Sequence, residues 1–130
     1  MEKKVLETED VLFEIVNNVC YMTYKDELKI TLDNAKRIVS DRKKFTEGKN
    51  YAGIIFMTGL TSINREARMY LSSDEAITGI NACAVVSDSG FNNFLANFFL
   101  RISFNKPKMP VKLFTSKAKA LKWLEQYKTW

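Results

Sequence analysis

The pattern of apolar and polar positions divides the chain into segments of alternating secondary structure. Residues 11–24, VLFEIVNNVCYMTY, form two strand-like runs separated by Asn17 and Asn18, which tolerate the left-handed conformation of a tight turn. This pattern predicts a β-hairpin. Further short apolar runs, typical of strands covered on both faces, occupy residues 51–57, 82–87 and 111–114.

Helical spacing predicts a helix directly after the hairpin. It begins after Thr31, a suitable N-cap residue, and continues to about Glu47, where Gly48 stops it. Its apolar residues recur every three or four positions and lie on one side, with charged residues mainly on the other. The apolar side comprises Leu32, Ala35, Ile38, Val39 and Phe45.

Three further helical regions follow along the chain. One carries Ala67 to Leu71, and the Ser72-x-x-Glu75 capping box predicts that a short helical piece restarts there and ends before Gly79. The other two are the long segment 91–104 after Gly90, and the closing segment 117–128, which Ser116 caps.

The predicted order is β-β-α-β-α-β-α-β-α in one domain. A chain of 130 residues is the size of a single domain, and 46% hydrophobic with 27% charged residues is an ordinary globular balance. Strands that alternate with helices after a hairpin predict an α/β fold with a mixed β-sheet and helices packed on it.

The chain contains no histidine, which removes several classes of chemistry. Without imidazole there is no Ser-His or Cys-His activation of a nucleophile and no histidine-ligated zinc or iron. No phosphate-binding glycine loop and no carboxylate set with metal-ligand spacing occurs. We therefore predict no catalytic residues, no metal and no cofactor, and a binding role rather than an enzymatic one.

The N-terminal segment MEKKVLETED is charged, and no run approaches the roughly 20 apolar residues of a membrane span. These features predict a cytoplasmic protein without a membrane span. Cys20 and Cys83 lie in apolar segments, so we expect buried free thiols rather than a disulfide.

Positive charge is concentrated near the C-terminus. Residues 101–130 contain eight lysines or arginines and one acid, Glu125. Few aromatic residues accompany these charges in the arrangement that stacks bases, so the pattern does not favour nucleic acid binding. A solvated helix face is the simpler interpretation.

The segment FNNFLANFFLRISF is apolar on two sides. Phe91, Phe94, Leu95, Phe98, Phe99 and Ile102 form a broad stripe that core packing explains. Leu100 and Phe104 fall nearly opposite, beside Ala96 and among asparagines that include Asn97. This second face predicts contact with a protein partner, with another copy of the chain, with an apolar ligand or with the following loop.

The stretch FMTGLTSINR places hydroxyl groups between a buried strand and a helix. Thr61 and Ser62 are interpreted as a helix cap, and the Asn64 side-chain oxygen is another group that could accept a hydrogen bond from the first-turn N–H groups. The alternative is an anion or phosphorylation site at Ser62, Thr61 or Thr58, close to Arg65 and Arg68.

Several segments together resemble a known group of proteins. The element order, ACAVVSDSGFNNFLANFFLRI, KPKMPVKLF and TSKAKALKWL resemble small bacterial proteins of the SpoIIAA-like fold, which are grouped with STAS domains. The likeness is best over residues 51–128, and VKLFTSKAKALKWL is its most specific piece. The resemblance implies a sheet with helices packed on it and a non-enzymatic role in regulation or binding.

One branch of the STAS family carries a phosphorylated serine after the strand that matches IIFM. There the serine follows an aspartate, whereas no aspartate precedes a hydroxyl between Thr58 and Asn64 here. The leading hypothesis is a STAS-like module that binds a protein partner or forms a homodimer. The alternative is a small apolar or lipid-like ligand held between the phenylalanine-rich helix and the sheet.

Overall fold

The protein is a mixed α/β structure in the computed structural model, which describes residues 4–57, 62–106 and 109–128. Its strands are β1 Lys4–Glu7, β2 Val11–Val16, β3 Val19–Tyr24, β4 Lys29–Ile30, β5 Tyr51–Phe56, β6 Ser62–Ile63, β7 Ile80–Val86 and β8 Val111–Phe114. Its α-helices are α1 Leu32–Phe45, α2 Arg65–Leu71, α3 Asp74–Ile77, α4 Asn93–Asn105 and α5 Lys117–Leu124.

Six of these strands form one sheet in the order β1-β2-β3-β5-β7-β8. The first three strands are antiparallel neighbours, and β3, β5, β7 and β8 are parallel. Helices connect the parallel strands, as parallel pairing requires. The predicted α/β class and mixed sheet are therefore confirmed.

The predicted hairpin is β2-β3, and it extends the sheet. Asn17 and Asn18 have φ angles of 52° and 63°, the left-handed values that a two-residue turn needs. Pairing of β3 with β5 joins the hairpin to the parallel strands. The sequence pattern did not predict β1, because all its residues are exposed and it carries no buried apolar face.

The two faces of the sheet pack against different helices. On one face, residues from β2, β3 and β7 share a core with α1, α2 and α4. On the other face, α5 packs closely because the strands present small side chains there. Ala82, Ala84, Ala120 and Leu124 have no exposed surface in this second core. Both cysteines are buried and free, as predicted.

Several helix boundaries differ from the predicted ones. Thr31 caps α1 as expected, but the helix ends at Phe45 rather than near Glu47. The predicted Ser72 box is wrong: Ser73 caps α3, accepting a hydrogen bond from the Ala76 backbone N–H. Helix α4 starts at Asn93, after the N-cap residue Asn92. Helix α5 ends at Leu124 and is followed by a 3-10 turn, Glu125–Tyr127.

A second, two-stranded sheet pairs β4 with β6. The Ser62 N–H donates to the Leu28 carbonyl, and the Asn64 N–H donates to the Ile30 carbonyl. These bonds hold the segment before α2 against the start of α1. Strands of two residues have no periodicity of their own, so the sequence pattern did not predict them.

Candidate functional site

An open cleft lies between α2 and α4, and we call it the α2/α4 groove. Its volume is about 390 Å³. It is lined from α2 by residues three or four positions apart, and from α4 by residues on one side of that helix. They are Arg65, Arg68, Met69 and Ser72, and Phe94, Asn97, Phe98, Arg101, Ile102 and Asn105.

Local sequence sets these side chains toward the groove. In α2, Ala67 is fully buried against the core, so Arg65, Arg68 and Met69 fall on the outer side. In α4, buried Leu95 and Phe99 similarly fix which side of the helix faces the core. The groove is therefore a direct consequence of how each of the two helices packs on the core.

The groove is strongly basic. Three arginines line it, and none of its described lining residues is an aspartate or glutamate. The Arg68 guanidinium donates to the Ile63 carbonyl at 2.6 Å and lies over the Phe94 ring, 4.1 Å from its centroid. Arg65 and Arg101 are exposed and form no hydrogen bond or ion pair with a described residue. Both have N–H donors available for an anionic group.

Exposed apolar side chains border these charges. Met69 is 63% exposed and Phe94 57% exposed, and both line the groove. Leu100 and Phe104, which we call the α4 ridge, are 50% and 84% exposed on the solvent side of α4. Asn97 is exposed and lies between the ridge and the groove. Four exposed apolar side chains therefore lie on two neighbouring helices beside the arginines.

The residues of the predicted interaction surface thus lie together on α4. Leu100, Phe104 and Asn97 are exposed, whereas Ala96 is half-buried. Phe94 was expected in the core, and that prediction is wrong. Its ring faces α2, where Arg68 covers it and leaves more than half of it exposed.

A second cavity lies between α4 and the sheet, where the apolar ligand was predicted. Its volume is about 70 Å³, and apolar side chains from α4 and the strands form most of its wall. Pockets for drug-sized ligands usually measure roughly 300 to 1,000 Å³. Buried Arg42 and Tyr24 also line this cavity, so it is not uniformly apolar.

The structure corrects the capping assignment in the FMTGLTSINR stretch. Thr58 and Thr61 lie outside the described residues. Ser62 is exposed within β6, and Asn64 caps α2 by accepting a hydrogen bond from the Ala67 N–H at 2.9 Å. Ser62 lies in β6, two residues before the cap Asn64, and its hydroxyl accepts no hydrogen bond from the described N–H groups of the first turn of α2. Modification of the Ser62 hydroxyl remains a prediction, which an intact-mass measurement tests.

This correction predicts different effects for two neighbouring substitutions. Asn64→Ala should lower the free energy of unfolding by about 1 kcal/mol, because it removes the cap of α2. Ser62→Ala should change it by less than about 0.5 kcal/mol, because an exposed hydroxyl is lost and the backbone pairing stays. Urea denaturation measures both. A larger loss for Ser62→Ala than for Asn64→Ala would show that Ser62 is the cap.

The remaining chemistry on the described residues is limited. They contain no group of three or more His, Cys, Asp or Glu side chains placed to hold a metal ion. Burial raises the pKa of Cys20 to about 11 and that of Cys83 to about 12, so both thiols are protonated and unreactive at neutral pH. No helix in the described parts of the chain is both long and apolar enough to cross a membrane.

Sequence reasoning missed two features of these sites. It did not group Arg65, Arg68 and Arg101, because Arg101 is far away in sequence. It also did not single out Arg42, although a signal existed: Arg42 follows Ile38 by four positions and Val39 by three, which places it on the buried side of α1.

The chain was compared with protein-family models, curated proteins and solved structures. The comparisons with curated proteins and with solved structures give no match. A family model described as "Domain of unknown function (DUF7793)" matches residues 13–128, which include six of the eight strands in full, most of β2 and all five α-helices. The chain therefore belongs to the DUF7793 domain family.

Proposed function

We propose that the protein is a non-enzymatic interaction module that binds a protein partner through the α2/α4 groove and the α4 ridge. One observation carries the proposal: exposed apolar side chains, with Phe104 at 84%, adjoin three arginines on a single surface. Protein interfaces are enriched in aromatic residues, methionine and arginine, which are the residue types found here.

The chemistry of the surface supports one kind of partner. A helix that presents apolar side chains at helical spacing fits a groove between two helices. Carboxylates on that helix would meet Arg65 and Arg101, whose guanidinium groups pair with them in a planar, two-bonded geometry. The proposed partner segment is therefore an acidic amphipathic helix.

A different protein is a better occupant than a second copy of this chain. A two-fold symmetric dimer through the groove would place each set of three arginines near the same set of the other copy. Like charges facing each other oppose such an interface. The homodimer alternative then requires contact through the ridge alone, a smaller surface.

The groove is also better suited to protein than to nucleic acid. A single-strand binder offers open aromatic faces on which bases stack. Here the Arg68 guanidinium already occupies one face of Phe94, the exposed aromatic ring within the groove. The lipid-like ligand is disfavoured by size, since the cavity under α4 measures only about 70 Å³.

We further propose that the domain has the SpoIIAA-like, STAS-like arrangement. What supports this is the parallel half of the sheet, in which β3, β5, β7 and β8 lie side by side in chain order. The VKLFTSKAKALKWL segment forms β8 and α5, the strand and helix expected from the resemblance. Superposition of an experimental structure of this protein on STAS domains tests the proposed arrangement. A different strand order in the STAS domains would contradict the proposal.

The binding proposal is tested by selecting peptides from a random display library of about 15 residues, long enough for four helical turns. Selected peptides should combine Asp or Glu with apolar residues at helical spacing. Their affinity should fall about tenfold or more for Arg65→Glu/Arg101→Glu, because attraction at two positions becomes repulsion. Phe104→Asp should also weaken binding, because the new carboxylate would lose its hydration when the partner's apolar side chains cover it.

The matched control is Lys119→Glu/Lys122→Glu, which changes net charge equally on the exposed side of α5. It should alter affinity less than about threefold, as expected for distant charges screened by salt. Equal losses in both double variants would contradict a specific groove. If light scattering shows a dimer that Phe104→Asp converts to a monomer, the α4 ridge is a self-association surface instead. Single-stranded DNA could also bind more tightly than any selected peptide and lose that binding in Arg65→Glu/Arg101→Glu. This result would show that the partner is a nucleic acid and not a protein.

A further inference from the structure

Arg42 is a buried cation in the core of the protein. Its side chain extends from α1 toward the end of α3 and is only 5% exposed. One terminal nitrogen donates to the Ala76 carbonyl at 2.9 Å, and the other donates to the Thr78 carbonyl at 2.7 Å. These two bonds hold the guanidinium in place and use two of its five N–H donors.

No acidic side chain of the described residues pairs with Arg42. The ionisable groups that act on it are Cys20, Tyr24, Cys83 and Tyr70, all neutral at physiological pH. The two backbone carbonyls supply partial negative charge but not a full counter-charge. A buried charge is usually paired, because an unpaired one loses its hydration without compensation.

The hydroxyl group of Tyr24 is a further buried polar group, and it has no hydrogen-bond partner among the described residues. Tyr24 is 7% exposed, and its hydroxyl forms no hydrogen bond with a described residue. It lines the same cavity of about 70 Å³ as Arg42. A guanidinium with N–H donors still available and an unpaired hydroxyl, from different residues, therefore line one cavity.

We propose that this cavity binds a small monocarboxylate, which accepts hydrogen bonds from Arg42 and Tyr24. The fork of a guanidinium matches a planar carboxylate, and the phenol supplies one more donor. A volume of 70 Å³ holds about two waters or a ligand of about four non-hydrogen atoms, which is the size of acetate. The apolar walls, formed by Ile55, Phe99 and Ile102 among others, receive its methyl group.

The bound carboxylate would supply the missing counter-charge. It would also join α1, the end of α3 and β3, since Arg42 and Tyr24 belong to different elements. The inference is independent of the proposed partner surface, because among the described lining residues the α2/α4 groove and this cavity share only Phe98 and Ile102. Either proposal can fail alone.

Thermal unfolding of the full chain with sodium acetate tests the inference. Acetamide, a neutral molecule of the same shape, and sodium chloride at equal ionic strength are the comparisons. Acetate at about ten times its Kd should raise Tm by about 5 °C, because it binds only the folded state. Neither comparison should do so. In NMR spectra, acetate should shift the Arg42 side-chain N–H signal.

Two variants locate the effect. Tyr24→Phe keeps the shape of the core and should weaken acetate binding about tenfold by removing one hydrogen bond to a charged group. Arg42→Met should abolish the acetate effect. Lys36→Met, which removes a positive charge from the exposed side of the same helix, should leave it unchanged.

Three results would overturn the inference. The first is equal stabilisation by acetamide or chloride. The second is an acetate effect of the same size in Tyr24→Phe, which folds even if Arg42→Met does not. The third is a crystal structure grown in acetate in which the cavity holds water only.

Discussion

Replacement of Phe13 by alanine is expected to lower the free energy of unfolding by about 3 to 5 kcal/mol, the usual cost of removing a fully buried phenylalanine. Phe13 has no exposed surface and lies at the centre of the larger core, with its ring centroid 5.8 Å from that of Phe45. The substitution leaves a cavity between β2 and α1 that the surrounding strands cannot close. Urea denaturation measures the loss as a lower midpoint at unchanged slope.

Phe104→Ala is the matched control for this prediction. It makes the same chemical change at a position that is 84% exposed. The free energy of unfolding should change by less than about 0.5 kcal/mol, because no buried contact is lost and alanine favours the helix. Comparable losses at the two positions would mean that Phe104 packs inside the protein, which would also contradict the proposed contact surface.

Stability is expected to fall steeply in alkaline solution because of the two buried thiols. Desolvation raises the pKa of Cys20 from 9.0 to about 11 and that of Cys83 from 9.0 to about 12. Above pH 9 the unfolded chain therefore loses these protons while the folded chain retains them, so stability decreases as pH rises toward the folded-state values. Between its unfolded-state and folded-state pKa values, each thiol lowers the free energy of unfolding by about 1.4 kcal/mol per pH unit.

The control for the alkaline effect is Cys20→Ala/Cys83→Ala. This variant removes both thiols and should lose less stability between pH 9 and pH 11 than the natural sequence does, whatever its stability at pH 7. Denaturant unfolding at each pH measures both slopes. Burial also raises the pKa of Tyr24, so a smaller decline should persist in the variant. Parallel slopes for the two proteins would show that the thiols do not control the effect.

The two proposed sites differ in how they arise from the fold. The α2/α4 groove is built from exposed side chains, so charge reversal there should alter binding with little effect on stability. The cavity beside Arg42 lies in the core, so occupancy and stability are linked. A ligand in the cavity would be detected by its effect on unfolding even if no partner protein were present.

Local sequence was sufficient for most of the elements. Asn17 and Asn18 marked the hairpin turn, and Thr31, Ser116 and the spacing of apolar residues marked helix starts and faces. These features depend on neighbours in sequence, which is why they could be predicted. Leu100 and Phe104 were also predicted to lie away from the core, from helical rotation alone.

Other features depended on which segments come together. Ser62 does not cap α2 because β6 pairs with β4, a contact across more than 30 residues. Phe94 is exposed at the α2/α4 groove, where Arg68 of α2 lies over its ring. The same packing gathers Arg65 and Arg101 into one groove. No local pattern encodes these distances.

The sequence by itself determined the α/β class, the hairpin, the amphipathic faces and the absence of histidine chemistry, because propensity, periodicity and composition act along the chain. Tertiary structure alone decided that the hairpin extends the sheet beside β5, that α2 and α4 border a basic groove, and that Arg42 shares a buried cavity with Tyr24. The physical reason is that burial and electrostatic pairing are set by the residues that surround a side chain in space, and these residues come from distant parts of the chain.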